Sequence, residues 1–89
     1  NSDGSHWKGV QICPNGKAGP RGGQPAWDGG NGLALTARIS KEIWRLDMSD
    51  ENHPKTLWGE KTLGNPDAAV FHDGRLLVPC GYQGLLIEK

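Results

Sequence analysis

What this chain has little of narrows its class first. No run of Lys or Arg exceeds two residues, and ten basic residues are balanced by ten acidic ones. A chain so patterned has no electrostatic footprint for a polyanion and no aromatic-basic interleaving for stacking on bases. Nucleic acid and an anionic membrane are therefore not expected as partners. Apolar runs such as Leu76–Val78 and Leu85–Ile87 fall far short of the ~20 residues that a membrane-spanning helix needs. The first residues, Asn1–His6, hold neither the basic start nor the apolar core of a signal peptide. They read as a ragged terminus, with the expectation that the chain is soluble as given and any targeting segment has been removed. Cysteine is scarce: Cys13 and Cys80 form no Cys-x-x-Cys, which removes the spacing of a zinc or thioredoxin-type site. Gly-x-Ser-x-Gly, His-Glu-x-x-His and Walker-type elements are also absent.

What is present is turn chemistry and short apolar segments. Fourteen glycines and six prolines, against 35% hydrophobic residues, suit short strands joined by many turns. All-β is the expected class. At 89 residues the chain buries only about 60–65% of its unfolded surface, so a crosslink, ligand or partner chain is expected to assist it. A Cys13–Cys80 disulfide would close a long loop and contribute on the order of 4 kcal/mol in the chain-entropy model. Two separate buried thiols are the alternative.

Residues 14–32 carry half of the glycines and three of the prolines and show neither strand nor helix periodicity; they read as a long loop. From Leu33 onward the pattern predicts strands at Leu33–Ala37, Ile43–Met48, Thr56–Leu63, Ala68–His72, Leu76–Cys80 and Leu85–Glu88, with an earlier one at Trp7–Cys13. Arg38–Arg45 is the one helix-compatible window, and β-branched Ile39 and Ile43 with no stop signal argue against helix there. The chain thus divides into a Gly/Pro-rich segment, 1–32, and a strand region, 33–89. Within the latter, Gly32–Ala37 overlays Arg75–Cys80 at an offset of 43, and Trp44–Asp47 overlays Leu85–Glu88 at 41. Periods just above forty are those of propeller blades.

The stretch from Glu42 to Trp58, with Asp47, Ser49, Asp50 and Pro54, followed by Gly81, Gly84, Leu85 and Ile87, resembles the LVIVD-type propeller repeat of secreted and surface proteins. Asn65-Pro66-Asp67 followed by His72-Asp73-Gly74-Arg75-Leu76-Leu77-Val78, with Asn31-Gly32-Leu33 before it, is similar to elements of the calcium propellers of the SMP-30/gluconolactonase type, although Ala68 stands where that family has Gly. The first resemblance implies one to two propeller-like blades and a secreted or extracytoplasmic location. The second implies metal-binding roles for Asn31 and Asp67. A small β-sandwich or barrel is the alternative architecture.

Candidate chemistry is sparse. Asn31, Asn65 and Asp67 offer hard oxygen ligands suited to calcium, against the plainer reading of Asn-Pro-Asp as a turn. Asp67 and His72 are the catalytic candidates, although His72-Asp73-Gly74 reads equally as a hairpin turn. Asp47, Asp50, Glu51 and His53 fit a solvated acidic turn better than a cation loop. Trp27 with Arg21 and Asp28 would grip a sugar ring by stacking and planar polar contacts, or Trp27 would anchor the loop. A propeller needs at least four blades, and this chain supplies two at most. The leading expectation is a binding or structural module engaging a protein or carbohydrate, completed by an identical or different chain. A subunit of a metal-assisted lactone or glycoside hydrolase is the alternative.

Overall fold

The computed structural model describes residues 6–12, 19, 20 and 23–89. Cys13 and Arg21 lie outside them. Seven strands form in order: β1 (Gln24–Trp27), β2 (Gly32–Ala37), β3 (Glu42–Asp47), β4 (Lys55–Lys61), β5 (Val70–His72), β6 (Arg75–Pro79) and β7 (Leu85–Ile87). They make two antiparallel meanders, a four-stranded sheet β1-β2-β3-β4 and a three-stranded sheet β5-β6-β7. The all-β class holds, and its only helical turn among the described residues is a 3-10 turn at Gly81–Gln83. Among the described residues, no helix is long and apolar enough to cross a membrane.

Two expectations are corrected at the N-terminal end. A strand, β1, forms inside the segment read as loop, and residues 7–12 form none despite their alternating pattern. The reason β1 escapes a sequence reading is Pro25. Asp28 N–H bonds to the Gly32 carbonyl at 3.1 Å, which sets the parity of the hairpin and leaves Pro25 at a position facing the free edge, where no N–H is needed. The Asp28 carboxylate closes the turn by accepting from Gly30 and Gly32. Because β1 pairs with β2, the first sheet draws on both sides of the 32/33 division.

Alternation decides the packing. Ala34, Thr36 and Ile43 turn one face of the first sheet onto Ala69, Leu76 and Val78 of the second, with Ala26, Trp58, Phe71 and Leu86 closing the margins. Leu33, Leu35 and Leu46 occupy the opposite face, covered by Ile12, Trp44 and Met48. The first sheet is thus buried on both faces. A bulge between Arg45 and Leu46 pushes Leu57 out of register in β4.

The two sheets repeat one plan. Leu35 faces Trp44 across β2 and β3, and Val78 faces Leu86 across β6 and β7. With β2 laid on β6 at the offset of 43, these registers put β3 on β7 at 42 rather than 41. β1 likewise corresponds to β5, and these two first strands touch. β4 has no counterpart in the second sheet.

Of the two states left open for the cysteines, Cys80 takes that of a free, buried thiol, and Cys13 lies outside the described residues. Its Sγ donates to the Gly64 carbonyl at 3.5 Å and the Gln83 Oε1 at 3.3 Å, so it packs as a small hydrophobe with a weak donor. Gln83 Oε1 also accepts from the backbone N–H of Leu63 and of Gly64, pinning the link between the sheets to the turn before β7.

Candidate functional site

The residues singled out in sequence are spread across the molecule. Asn31 precedes β2, whereas Asn65 donates its amide to the Arg38 carbonyl just beyond that strand's other end. The two are separated by the length of β2, on the order of 20 Å. Asp67 follows Asn65; its backbone N–H bonds to the Pro79 carbonyl, and its carboxylate accepts from Ala68 at 2.9 Å. His72 pairs with Arg75 at the other end of β6, about 13 Å along the strand from Asp67. There it sits exposed, 3.4 Å from Asp73, in a hairpin whose Asp73 and Gly74 both have positive φ. Among the described residues, no group of three or more His, Cys, Asp or Glu side chains converges on a common point. Trp27 ends β1 and is 54% exposed, while the carboxylate of its neighbour Asp28 is held in the turn.

The acidic turn after β3 holds its own carboxylates. Backbone and side-chain hydrogen bonds from Ser49 keep the Asp47 carboxyl below its usual range, and His53 with the Asn52 N–H does the same for Asp50. The Trp44 indole, followed by Lys61, lowers Glu42. These are structural arrangements, each satisfied locally.

The sequence reading missed two features. One is a clamp between the sheets: Arg45 in β3 meets Glu88, just after β7, at 3.3 Å, and its guanidinium lies 5.0 Å from the centroid of the Phe71 ring. The other oxygen of Glu88 accepts from the Leu76 N–H. Partners 43 positions apart leave no local signal, although the repeat that places β3 over β7 contains the information.

The second feature is the unfinished side of the second sheet. Between β4 and β7 runs a groove of about 530 Å³ lined by Ile43, Trp58, Leu76, Val78 and Leu86, with Glu60 and Glu88 also bordering it. It lies where a fourth strand would add to β7. The backbone there is available: Cys80 bonds to the Gly84 carbonyl and Glu88 to that of Leu76, which makes Leu86 the bonded partner of Val78. Leu85 and Ile87 therefore direct their N–H and C=O to the open edge. On the sheet's outer face, Val70, Leu77, Pro79, Leu85 and Ile87 form an apolar surface; Val70, Leu85 and Ile87 are each at least half exposed. Comparison with family models, with curated proteins and with solved structures returned no match.

Proposed function

We propose that this chain is a structural and binding module of propeller type, two neighbouring blades that work within a larger β assembly and engage another protein chain through the outer face of β5–β7. The observation that carries this reading is the packing repeat. The face of the first sheet bearing Ala34 and Thr36 covers the second sheet, and the corresponding positions of the second sheet, Leu77 and Pro79, lie on its open apolar face. A partner chain seated on that face would bury it as the equivalent face of the first sheet is buried. Function follows here from surface rather than from chemistry, since the polar side chains singled out in sequence are engaged in turns or dispersed.

The test is mass in solution. The full chain is expected to sediment above the monomer at micromolar concentration, and Leu77→Asp to lower its weight-average mass without loss of its β circular dichroism. Equal masses for the two proteins would reject the outer face as the contact. A carbohydrate is the second ligand class, favoured by the exposed indole of Trp27 at the end of β1. Glycan binding abolished by Trp27→Ala is its expected signature, and the absence of glycan binding by the unaltered chain would dismiss it.

A further inference from the structure

Three segments far apart in sequence meet at one end of the molecule: the β2–β3 hairpin at 38–41, the end of β4 with the link that follows at 61–65, and the turn Gly81–Gln83 before β7. Hydrogen bonds tie them together. The Lys41 carbonyl accepts from the Thr62 N–H at 2.9 Å, the Arg38 carbonyl from the Asn65 amide at 3.0 Å and the Ser40 carbonyl from Lys61 Nζ at 3.5 Å. Gln83 Oε1 joins the link to the third segment through the N–H groups of Leu63 and Gly64. The three are held as one platform, yet each carries a large apolar side chain out into water: Ile39 is 91% exposed, Leu63 69% and Tyr82 83%.

Two of these residues hold the same place in the repeated plan. With β2 laid on β6 at the offset of 43, Ile39 falls on Tyr82, so each sheet presents one exposed apolar residue between its second and third strands. Local preferences run against that choice. Hairpin turns favour Gly, Asn, Asp and Ser, and a β-branched side chain held wholly in water there adds nothing to the fold. Lys41 has a φ of 59°, a left-handed conformation that suits glycine and strains lysine. Residues that break local rules together at one place on a surface point to function. Cations accompany them. Arg38, Lys41 and Lys61 are all exposed; Lys61 is paired with Glu42 at 3.3 Å, and the exposed Asp67 lies further along the link. Among the described residues, Arg38 and Lys41 form no ion pair.

We propose that this end of the molecule seats on an anionic lipid surface, with Ile39, Leu63 and Tyr82 entering the headgroup layer and Arg38 and Lys41 meeting its negative charge. Apolar side chains that project singly from three segments suit a fluid surface that closes around them. Tyrosine is at home at headgroup depth, its ring in the apolar boundary and its hydroxyl wet. Cations beside the inserted residues are drawn to the surface potential of anionic lipid. The sequence has no basic run to announce this, because Ile39 and Ser40 separate Arg38 from Lys41, and Lys61 arrives through the pairing of β3 with β4. With three side chains and two unpaired cations, the contact is weak and reversible. It involves neither the outer face of β5–β7 nor the edge of β7, and it stands independently of the assembly reading above.

Co-sedimentation of the full chain with vesicles tests it, using phosphatidylcholine mixed with phosphatidylserine and phosphatidylcholine alone. The unaltered chain is expected to bind the mixed vesicles, more strongly than the neutral ones and less as salt is added. Ile39→Asp and Tyr82→Asp, both at exposed positions, are each expected to lower the partition coefficient about tenfold while keeping the β circular dichroism. Lys41→Gly removes a cation and relieves the left-handed backbone, so it is expected to bind less while unfolding at no lower urea than the parent. Loss of structure does not produce that split. Leu77→Asp, on the outer face, is expected to bind like the parent. In the unaltered chain, a nitroxide-labelled lipid is expected to broaden the methyl signals of Ile39 and Leu63 and to spare those of buried Val78. No binding to the mixed vesicles, equal binding to both vesicle types, Ile39→Asp and Tyr82→Asp variants that bind like the parent, or loss of binding in Leu77→Asp alone would each overturn the proposal.

Discussion

The first sheet ends on β4, a strand with Lys55 and Lys61 at its ends and a bulge beside it, and both faces of that sheet carry buried leucine, isoleucine or alanine. The second sheet ends on β7, three uncharged apolar residues, and is covered on one face only. Both follow the same meander and the same cross-strand register, so the difference lies in what has been added outside the shared plan: a fourth strand and a covering segment for one, neither for the other. Repeat architectures need this kind of finishing at their ends, because each unit buries its apolar face on a neighbour. Among the described residues, the second sheet keeps an open apolar face where the first is covered.

Truncations that contrast the two sheets would break the comparison most sharply. Leu46→Ala removes a fully buried side chain from the doubly covered sheet and is expected to cost about 3 kcal/mol in urea unfolding, whereas Ile87→Ala, half exposed on β7, is expected to cost less than about 1 kcal/mol in the dilute monomer. Equal losses would mean that the sheets are not unequal in burial. Within the first sheet, Gly59 leaves room for the Trp44 ring, and an added Cβ would fall within 2.2 Å of Trp44 Cε3. Gly59→Ala is accordingly expected to cost about 2 kcal/mol, measured the same way. Between the sheets, Gln83→Ala deprives the Leu63 and Gly64 amides of their acceptor and is expected to cost on the order of 1.5 kcal/mol. Gln83→Glu, which keeps an oxygen, is expected to recover part of the loss.

Thr36 offers a gain instead. Its hydroxyl is buried between the sheets with no hydrogen-bond partner among the described residues. Thr36→Val keeps the shape and removes that penalty, so unfolding is expected to shift toward higher urea by about 1 kcal/mol. A loss in its place would point to a partner for the hydroxyl. The smallest effect is acid sensitivity. Glu42, Asp47 and Asp50 all titrate below their ordinary values of 4.5, 3.8 and 3.8 in the folded chain. Their stabilising contribution is complete above those ordinary values and is lost as pH falls through the lowered ones. Stability is therefore expected to decline as pH falls through and below the ordinary carboxylate range. A Glu42→Gln, Asp47→Asn, Asp50→Asn triple variant is expected to show a shallower decline.

How much of this was legible depended on whether the signal was local. β2 and β6 were legible because each is a short apolar run between turn signals and the two match at an offset of 43. The hairpin at Asp73-Gly74 was legible from turn chemistry alone. β1 was hidden by proline and flanking glycines, which signal loop unless the edge position of Pro25 is known. Residues 7–12 erred in the other direction: their alternation is that of a strand, but pairing depends on a partner that the pattern does not specify. The state of Cys80 could not be read from spacing, since burial beside Gln83 and Gly64 depends on how the link between the sheets folds back. Of the site residues, Asn31 and Asn65 fall near opposite ends of β2 because Asn31 lies in the turn between β1 and β2 and Asn65 in the link after β4, bonded to the Arg38 carbonyl. The clamp of Arg45 and Glu88 and the groove beside β7 depend on one sheet lying over the other, which no window of sequence displays.

Methyl accessibility of Val70, Leu77 and Leu85 to a soluble paramagnetic probe, followed by NMR as the full chain is concentrated, is the most direct measurement of whether the outer face of β5–β7 is a contact surface. Strong broadening in dilute solution that fades as concentration rises, while the buried Val78 methyls stay unaffected throughout, is the result this account predicts. Broadening of the three side chains that is the same at every concentration would contradict it.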